Sequence, residues 1–194
     1  MQANKYIGDE AFNKMLEHYA CPTPLSVVKM RFCGAICSPN LKLRPADVIS
    51  SLWPEGAAPR LETKAEADLF FKFFMGLWDE IFDLVNQNKI KLSSMKESNI
   101  TSYCQMRYDE IELGFVEGFF GGEENLQIPG YLAQIVDSLS ELALACQKIG
   151  QKGDSTQAVW EAVWHTEQVV EKSIAFIIQN SVLPRIDQLK RQVN

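Results

Sequence analysis

Thr63-Lys64-Ala65-Glu66-Ala67-Asp68-Leu69-Phe70-Phe71-Lys72-Phe73-Phe74-Met75-Gly76-Leu77-Trp78-Asp79-Glu80-Ile81-Phe82-Asp83-Leu84-Val85 is the stretch that decides the fold. Thr63 followed by Glu66 has capping-box spacing: the threonine oxygen accepts the Glu66 N–H, and the Glu66 carboxylate reaches back to the Thr63 N–H. Beyond the cap, Leu69, Phe70, Phe73, Phe74, Leu77, Trp78, Ile81, Phe82 and Val85 recur at spacings of three and four, the period of a helix face. Phe71, Met75 and Leu84 widen that stripe, which leaves Lys72, Asp79, Glu80 and Asp83 as the main polar positions. A helix apolar over most of its circumference is buried on several sides. Residues 63–85 are therefore expected to form a central post, with Phe70, Phe74 and Trp78 kept from water.

Toward the N-terminus, Phe12, Met15, Leu16 and Tyr19 give residues 9–20 an amphipathic face that Cys21-Pro22-Thr23-Pro24 ends. Thr23 is placed to cap a second helix, with Pro24 in the first turn, where a missing N–H is tolerated. Its inner face is Leu25, Val28, Phe32, Ala35 and Ile36. Pro45 opens a brief third helix carrying Val48, Ile49, Leu52 and Trp53, and residues 54–59 form a surface loop.

Toward the C-terminus, residues 86–102 are polar and read as an exposed connection. A helix over 103–120 turns Ile111, Phe115 and Phe119 inward and stops at Gly121-Gly122. Pro129 precedes a helix carrying Leu132, Ile135, Val136, Leu139, Leu142, Ala143, Cys146 and Ile149, with a turn at 150–156. The last long helix, 155–182, carries Val159, Trp160, Val163, Trp164, Val170, Ile174, Ile177 and Ile178, and Pro184 breaks or kinks it. No alternating strand pattern and no internal repeat is present. The expectation is an all-α fold: a multihelical bundle of about seven helices around one long central apolar helix. It forms a single domain over 1–194, with a core at 9–150 and a C-terminal helix at 155–194 packing on it.

With 19 basic and 25 acidic residues among 194, the net charge is −6. No basic stripe interleaved with aromatics is present, which argues against a nucleic-acid partner. Neither a signal-like N-terminus nor a run of membrane-spanning length is found, so no membrane role is expected. The cysteines Cys21, Cys33, Cys37, Cys104 and Cys146 are odd in number and fall mainly on apolar helix faces, which fits reduced thiols in a cytoplasmic setting.

Two stretches go beyond pattern. Gly34-Ala35-Ile36-Cys37-Ser38-Pro39, then Leu43-Arg44-Pro45, then Ser51-Leu52-Trp53, resembles the N-terminal signature of the YecA/YgfB-like family of uncharacterised bacterial proteins. Leu113-Gly114-Phe115-Val116-Glu117-Gly118-Phe119 is similar to that family's second signature, and Met75 to Ile81 to its middle helix. The signature positions are Gly34, Pro39, Pro45, Trp53, Gly114, Phe115 and Gly118. The chain departs from the pattern at Cys33, Ala35-Ile36 and Tyr108, and it carries no cysteine-rich zinc-binding cluster of the kind some members add. The resemblance implies a YgfB-like multihelical fold and supplies no established reaction.

Candidate chemistry is sparse. Cys33 and Cys37, one turn apart, with His18 and Cys21, make a possible metal set, but structural zinc prefers tight paired spacing, and packed thiols are the simpler account. Glu161, His165, Glu167 and Glu171 lack the paired Glu-x-x-His motif of di-metal bundles and read as a solvated face. Gly114 and Gly118, four apart, mark close approach of another helix, the central one. No phosphate loop and no nucleophile elbow is present, and two histidines leave little general-base chemistry. The sequence thus leans away from an enzyme and implies no cofactor or metal. The leading expectation is a protein that acts through contact with a protein partner or itself, by way of Trp160, Val163 and Trp164. The alternative is a small-molecule binder or enzyme with a pocket between the two signature segments, lined by Trp53, Trp78 and Tyr108; a metal-dependent variant would use Cys33 and Cys37. A cleft with convergent polar groups separates that alternative from an exposed tryptophan patch.

Overall fold

A computed structural model describes residues 5–94, 99–123 and 125–193. Seven continuous helical segments make up its regular structure: α1 Asp9–His18, α2 Leu25–Cys37, α3 Pro45–Ser50, α4 Lys64–Asn86, α5 over 100–120, α6 Gly130–Lys152 and α7 over 157–193. The protein is all-helical, as the 3.6-residue periodicity predicts, and no strand occurs among the described residues.

Helix α4 begins where its cap predicts, with Thr63 Oγ1 accepting from the Glu66 N–H at 3.1 Å. The return half of the box shifts by one residue, since the Glu66 carboxylate accepts from the Glu62 N–H at 2.8 Å. Its inner face is Phe70, Phe74, Leu77, Ile81 and Val85, with Trp78 half-buried. Phe74 is fully buried and sits in an aromatic cluster, 5.3 Å from Phe12 and 4.8 Å from Phe70 between ring centres.

The most completely enclosed helix is nevertheless α2. Eleven of its 13 residues are buried, all but Ser26 and Lys29. α4 keeps Leu69, Phe71 and Phe82 substantially exposed. The difference is geometric: α4 is long and carries one solvent-facing side, whereas α2 is crossed by α4, α5 and the C-terminal part of α7. One apolar cluster runs through all of these, from Phe12 to Val182. A smaller one joins α5, α6 and α7 through Ile100, Tyr103, Cys104, Cys146 and Val163.

Several local expectations need correction. Thr23 does not cap α2. Its hydroxyl donates to the Leu52 carbonyl at 2.7 Å, tying the start of α2 to the end of α3, and Pro24 itself stands at the N-cap. α5 starts at Ile100, earlier than apolar spacing suggests, because the Asn99 side chain accepts from the Thr101 and Ser102 N–H groups. Within α5, Asp109–Val116 is wound as π-helix, an irregularity that periodicity does not reveal. α6 runs through Gly150 to Lys152 and ends at Gly153 in the left-handed conformation. Part of the expected 86–102 connection, residues 95–98, lies outside the described residues.

Pro184 neither ends nor breaks α7. A short π-helical turn, Ile178–Val182, precedes it, and the helix continues as Leu183–Val193. The wider turn accommodates a ring that would otherwise meet a carbonyl one turn back. The continuation has a function in the fold: Arg185 donates to the Ser38 and Ile36 carbonyls at 2.6 and 3.0 Å, satisfying acceptors left over at the C-terminus of α2.

Candidate functional site

The two signature segments meet. A Cβ added at Gly34 of α2 would lie 2.0 Å from the Phe115 carbonyl oxygen, and one at Gly118 of α5 would lie 2.2 Å from the Arg31 carbonyl oxygen. At Gly114 it would lie 2.7 Å from the Met30 Cβ. These glycines therefore let the backbones of α2 and α5 touch, and the partner of Gly114 and Gly118 is α2, not the 64–86 helix. Arg31 locks the crossing. Its Nε donates to the Leu113 carbonyl at 2.9 Å, its Nη1 to the Ser51 carbonyl at 2.7 Å, and its Nη2 to Glu117. Pro45 opens α3 and Trp53 is buried, its Nε1 donating to the Tyr19 carbonyl at 3.1 Å. Pro39 is half-buried just beyond α2.

A cleft of about 720 Å³ lies between these segments, bounded by Arg31, Asp47, Ser51, Glu112, Glu117 and Glu123 among others. Trp53, Trp78 and Tyr108 are not in its wall. Trp53 turns toward Phe70, Trp78 packs on Phe32 at 5.2 Å, and Tyr108 packs against the main core. Arg31 and Glu117 pair with each other in the cleft wall. Arg31 spends its donors on the fold, and Asp47 is held by Arg44 at 3.0 Å. One Glu112 oxygen is buried without a hydrogen-bond partner among the described residues.

A second polar centre sits at the start of the π-helical turn. Arg107 is buried, and each N–H of its guanidinium finds an acceptor. Nη1 donates to Glu110 at 2.6 Å and to Ser93 Oγ, Nη2 to the Ser93 carbonyl and the Tyr103 hydroxyl, and Nε to Glu167. Burial works against the Arg107 charge, but the Glu110 and Glu167 carboxylates more than compensate and hold its pKa above the ordinary value. Glu110 is itself fully buried, with one carboxylate oxygen left without a partner among the described residues. Sequence reasoning missed this network. Its one signal is local, Tyr103, Arg107 and Glu110 at spacings of four and three, on a helix that otherwise reads as amphipathic.

The network also corrects the solvated face expected on α7. Glu167 takes the Tyr103 hydroxyl at 2.6 Å as well as Arg107, and Glu171 pairs with Lys91 while accepting from the Leu92 N–H at 3.2 Å. Glu161 and His165 are exposed, as expected of that face. Cys33 and Cys37 are both fully buried; their mutual contact and burial push the Cys33 thiol up. Among the described residues no group of three or more His, Cys, Asp or Glu is placed to hold a metal.

The expected interaction face divides. Val163 is fully buried against α5 and α6, so it belongs to the core and not to a surface. Trp160 is half-buried, edge-on to Tyr103 at 5.1 Å. Trp164 alone projects, 49% exposed, its ring 6.0 Å from Trp160. Val170 is also fully buried, so the apolar arc is wide because α7 is covered on two sides.

The chain matches no family model, no curated protein and no solved structure. No helix among the described residues is long and apolar enough to cross a membrane. Of the groups that sequence reasoning singled out, the folded chain gathers Gly34, Gly114, Phe115 and Gly118 at one crossing. It pairs Cys33 with Cys37 and Cys104 with Cys146 but, among the described residues, sets no three of the cysteines and histidines to hold a metal, and it leaves Trp164 as the projecting tryptophan.

Proposed function

We propose that this protein is non-enzymatic and acts through protein–protein contact, with the Trp164 side of α7 as the contact surface. The observation that carries the proposal is the Trp164 ring, half in water, supported from beneath by Trp160, which in turn rests on Tyr103. Tryptophans held on a rigid base are the side chains that most often dominate interface energies. The other three tryptophans of the chain are buried or half-buried. Against the small-molecule alternative, the cation of the cleft between the signature segments, Arg31, is committed to the fold through the Leu113 and Ser51 carbonyls and Glu117. In the same reading the chain is a YecA/YgfB-like bacterial protein of the cytoplasm. That assignment draws support from the way both signature segments converge on the glycine crossing.

The test compares proteins retained from cell lysate by the intact chain and by Trp164→Ala. The variant should stay folded, because half the ring is already in water, and lose a specific retained protein. Retention of the same proteins by a folded Trp164→Ala chain would overturn the proposal.

A further inference from the structure

α4 carries a second apolar stripe beside the one that faces the core. Phe71 and Phe82 are 43% and 37% exposed, and Met75 and Trp78 are half-buried between them. These four stand at successive spacings of four, three and four, the alternation of a two-helix seam, and span about 16 Å of helix. Phe70, Phe74, Leu77, Ile81 and Val85 occupy the neighbouring, inward face; Trp78 reaches across to it and packs on Phe32, whereas Phe71, Met75 and Phe82 stand outside the core cluster. Along its outer edge run Lys72 and Asp83, both exposed, and the half-buried Asp79. None of the three enters an ion pair with another described residue.

We propose that α4 pairs antiparallel with α4 of a second copy of this chain, through Phe71, Met75, Trp78 and Phe82. The spacing and the charges select this occupant together. A twofold axis midway between Met75 and Trp78 sets Phe71 opposite Phe82, and Met75 opposite Trp78, of the second copy. Lys72 then falls between Asp79 and Asp83 of that copy, about 3 Å along the helix axis from each. The twofold repeats the contact toward the other end of the seam. A parallel pairing would carry this charged edge to opposite faces of the seam in the two copies, where Lys72 meets neither Asp79 nor Asp83, so only the antiparallel pairing uses the charges. The charges lie at the rim of the contact, where they fix register and partner choice more than total affinity. This surface is on a different helix from Trp164, and the two readings stand independently.

Sedimentation of the full chain at low salt tests the pairing. Lys72→Glu sets an acidic residue between Asp79 and Asp83, and the double change Asp79→Lys with Asp83→Lys sets three lysines together. Each variant alone should self-associate about tenfold or more weakly than the parent. An equimolar mixture of the two should recover a dimer, because every rim contact in the mixed species is again between opposite charges. Phe71→Glu should be monomeric and should not be recovered by mixing, whereas Trp164→Ala should dimerise like the parent. Should the double variant fail to fold, Asp83→Lys alone, at an exposed position, serves in the same mixing experiment. A parent that stays monomeric, charge variants that dimerise as the parent does, or a mixture that recovers nothing would each overturn the proposal.

Discussion

Replacing Gly34 by Ala probes the contact on which the fold turns. The added Cβ would lie 2.0 Å from the Phe115 carbonyl oxygen and 2.8 Å from the Phe119 amide nitrogen. A carbon and a carbonyl oxygen settle at about 3.3–3.6 Å, so α2 and α5 must part by more than about 1 Å where they cross. Both obstacles are backbone and cannot rotate aside. Parting the helices loosens Phe32, Phe115 and Phe119, all fully buried, and strains the Arg31 bonds to the Leu113 carbonyl. Overpacking costs about 1–3 kcal/mol where side chains can yield, and a backbone collision belongs at or above the top of that range. Helix propensity favours Ala over Gly by about 1 kcal/mol, which leaves a net loss of about 2 kcal/mol or more. Gly130→Ala is the control, since nothing lies within 4 Å of a Cβ there. It should be neutral or stabilise by up to about 1 kcal/mol. Urea denaturation of both variants, compared at constant slope, measures the difference. A Gly34→Ala protein as stable as its parent would refute the claim that backbone contact between α2 and α5 organises the molecule.

Other perturbations test other layers. Phe74→Ala should cost about 3–5 kcal/mol, because the fully buried ring has aromatic neighbours on several sides; a loss under about 1 kcal/mol in the same urea assay would place it at the periphery. Arg107→Met leaves the buried Glu110 and the largely buried Glu167 without their cation, and a loss of about 3–5 kcal/mol is expected; thermal unfolding indistinguishable from the parent would mean the network is not formed. The Lys29 ammonium holds the Asp9 carboxyl below its ordinary pKa against a smaller opposing effect of burial. The folded-state value is thus lower than the unfolded one, near 3.9, so the stabilisation is complete above that value and is lost as pH falls through the folded-state pKa. Lys29→Met should flatten that part of the acid-unfolding curve, and an unchanged acid limb would count against the Asp9–Lys29 pairing.

Much of the architecture was legible in the sequence because helix periodicity and end signals are local properties. The Thr63 cap, the stop at Gly121 and the inward set Phe70, Phe74 and Leu77 follow from neighbours within two turns. The order of burial was not legible. Leu25–Cys37 is short and apolar nearly all round, and only its position under three other helices makes it the enclosed one. Gly114 and Gly118 announced a close approach, but spacing along one helix carries no information about which helix arrives. The Arg107 centre was hidden for a similar reason. Ser93 and Glu167, which complete it, lie 14 and 60 residues away along the chain. Val163 and Trp164 show the limit most sharply, since adjacent apolar residues on one helix ended in core and solvent according to what α5 and α6 covered.

The function proposed for this chain stands or falls at position 164. A photo-crosslinking amino acid placed there, in cells that make the protein, reports directly on what touches that side of α7. One discrete adduct carrying a protein partner is expected, absent when the same amino acid replaces exposed Glu10 on α1. A folded chain that is illuminated at position 164 and yields no adduct would contradict the proposed function.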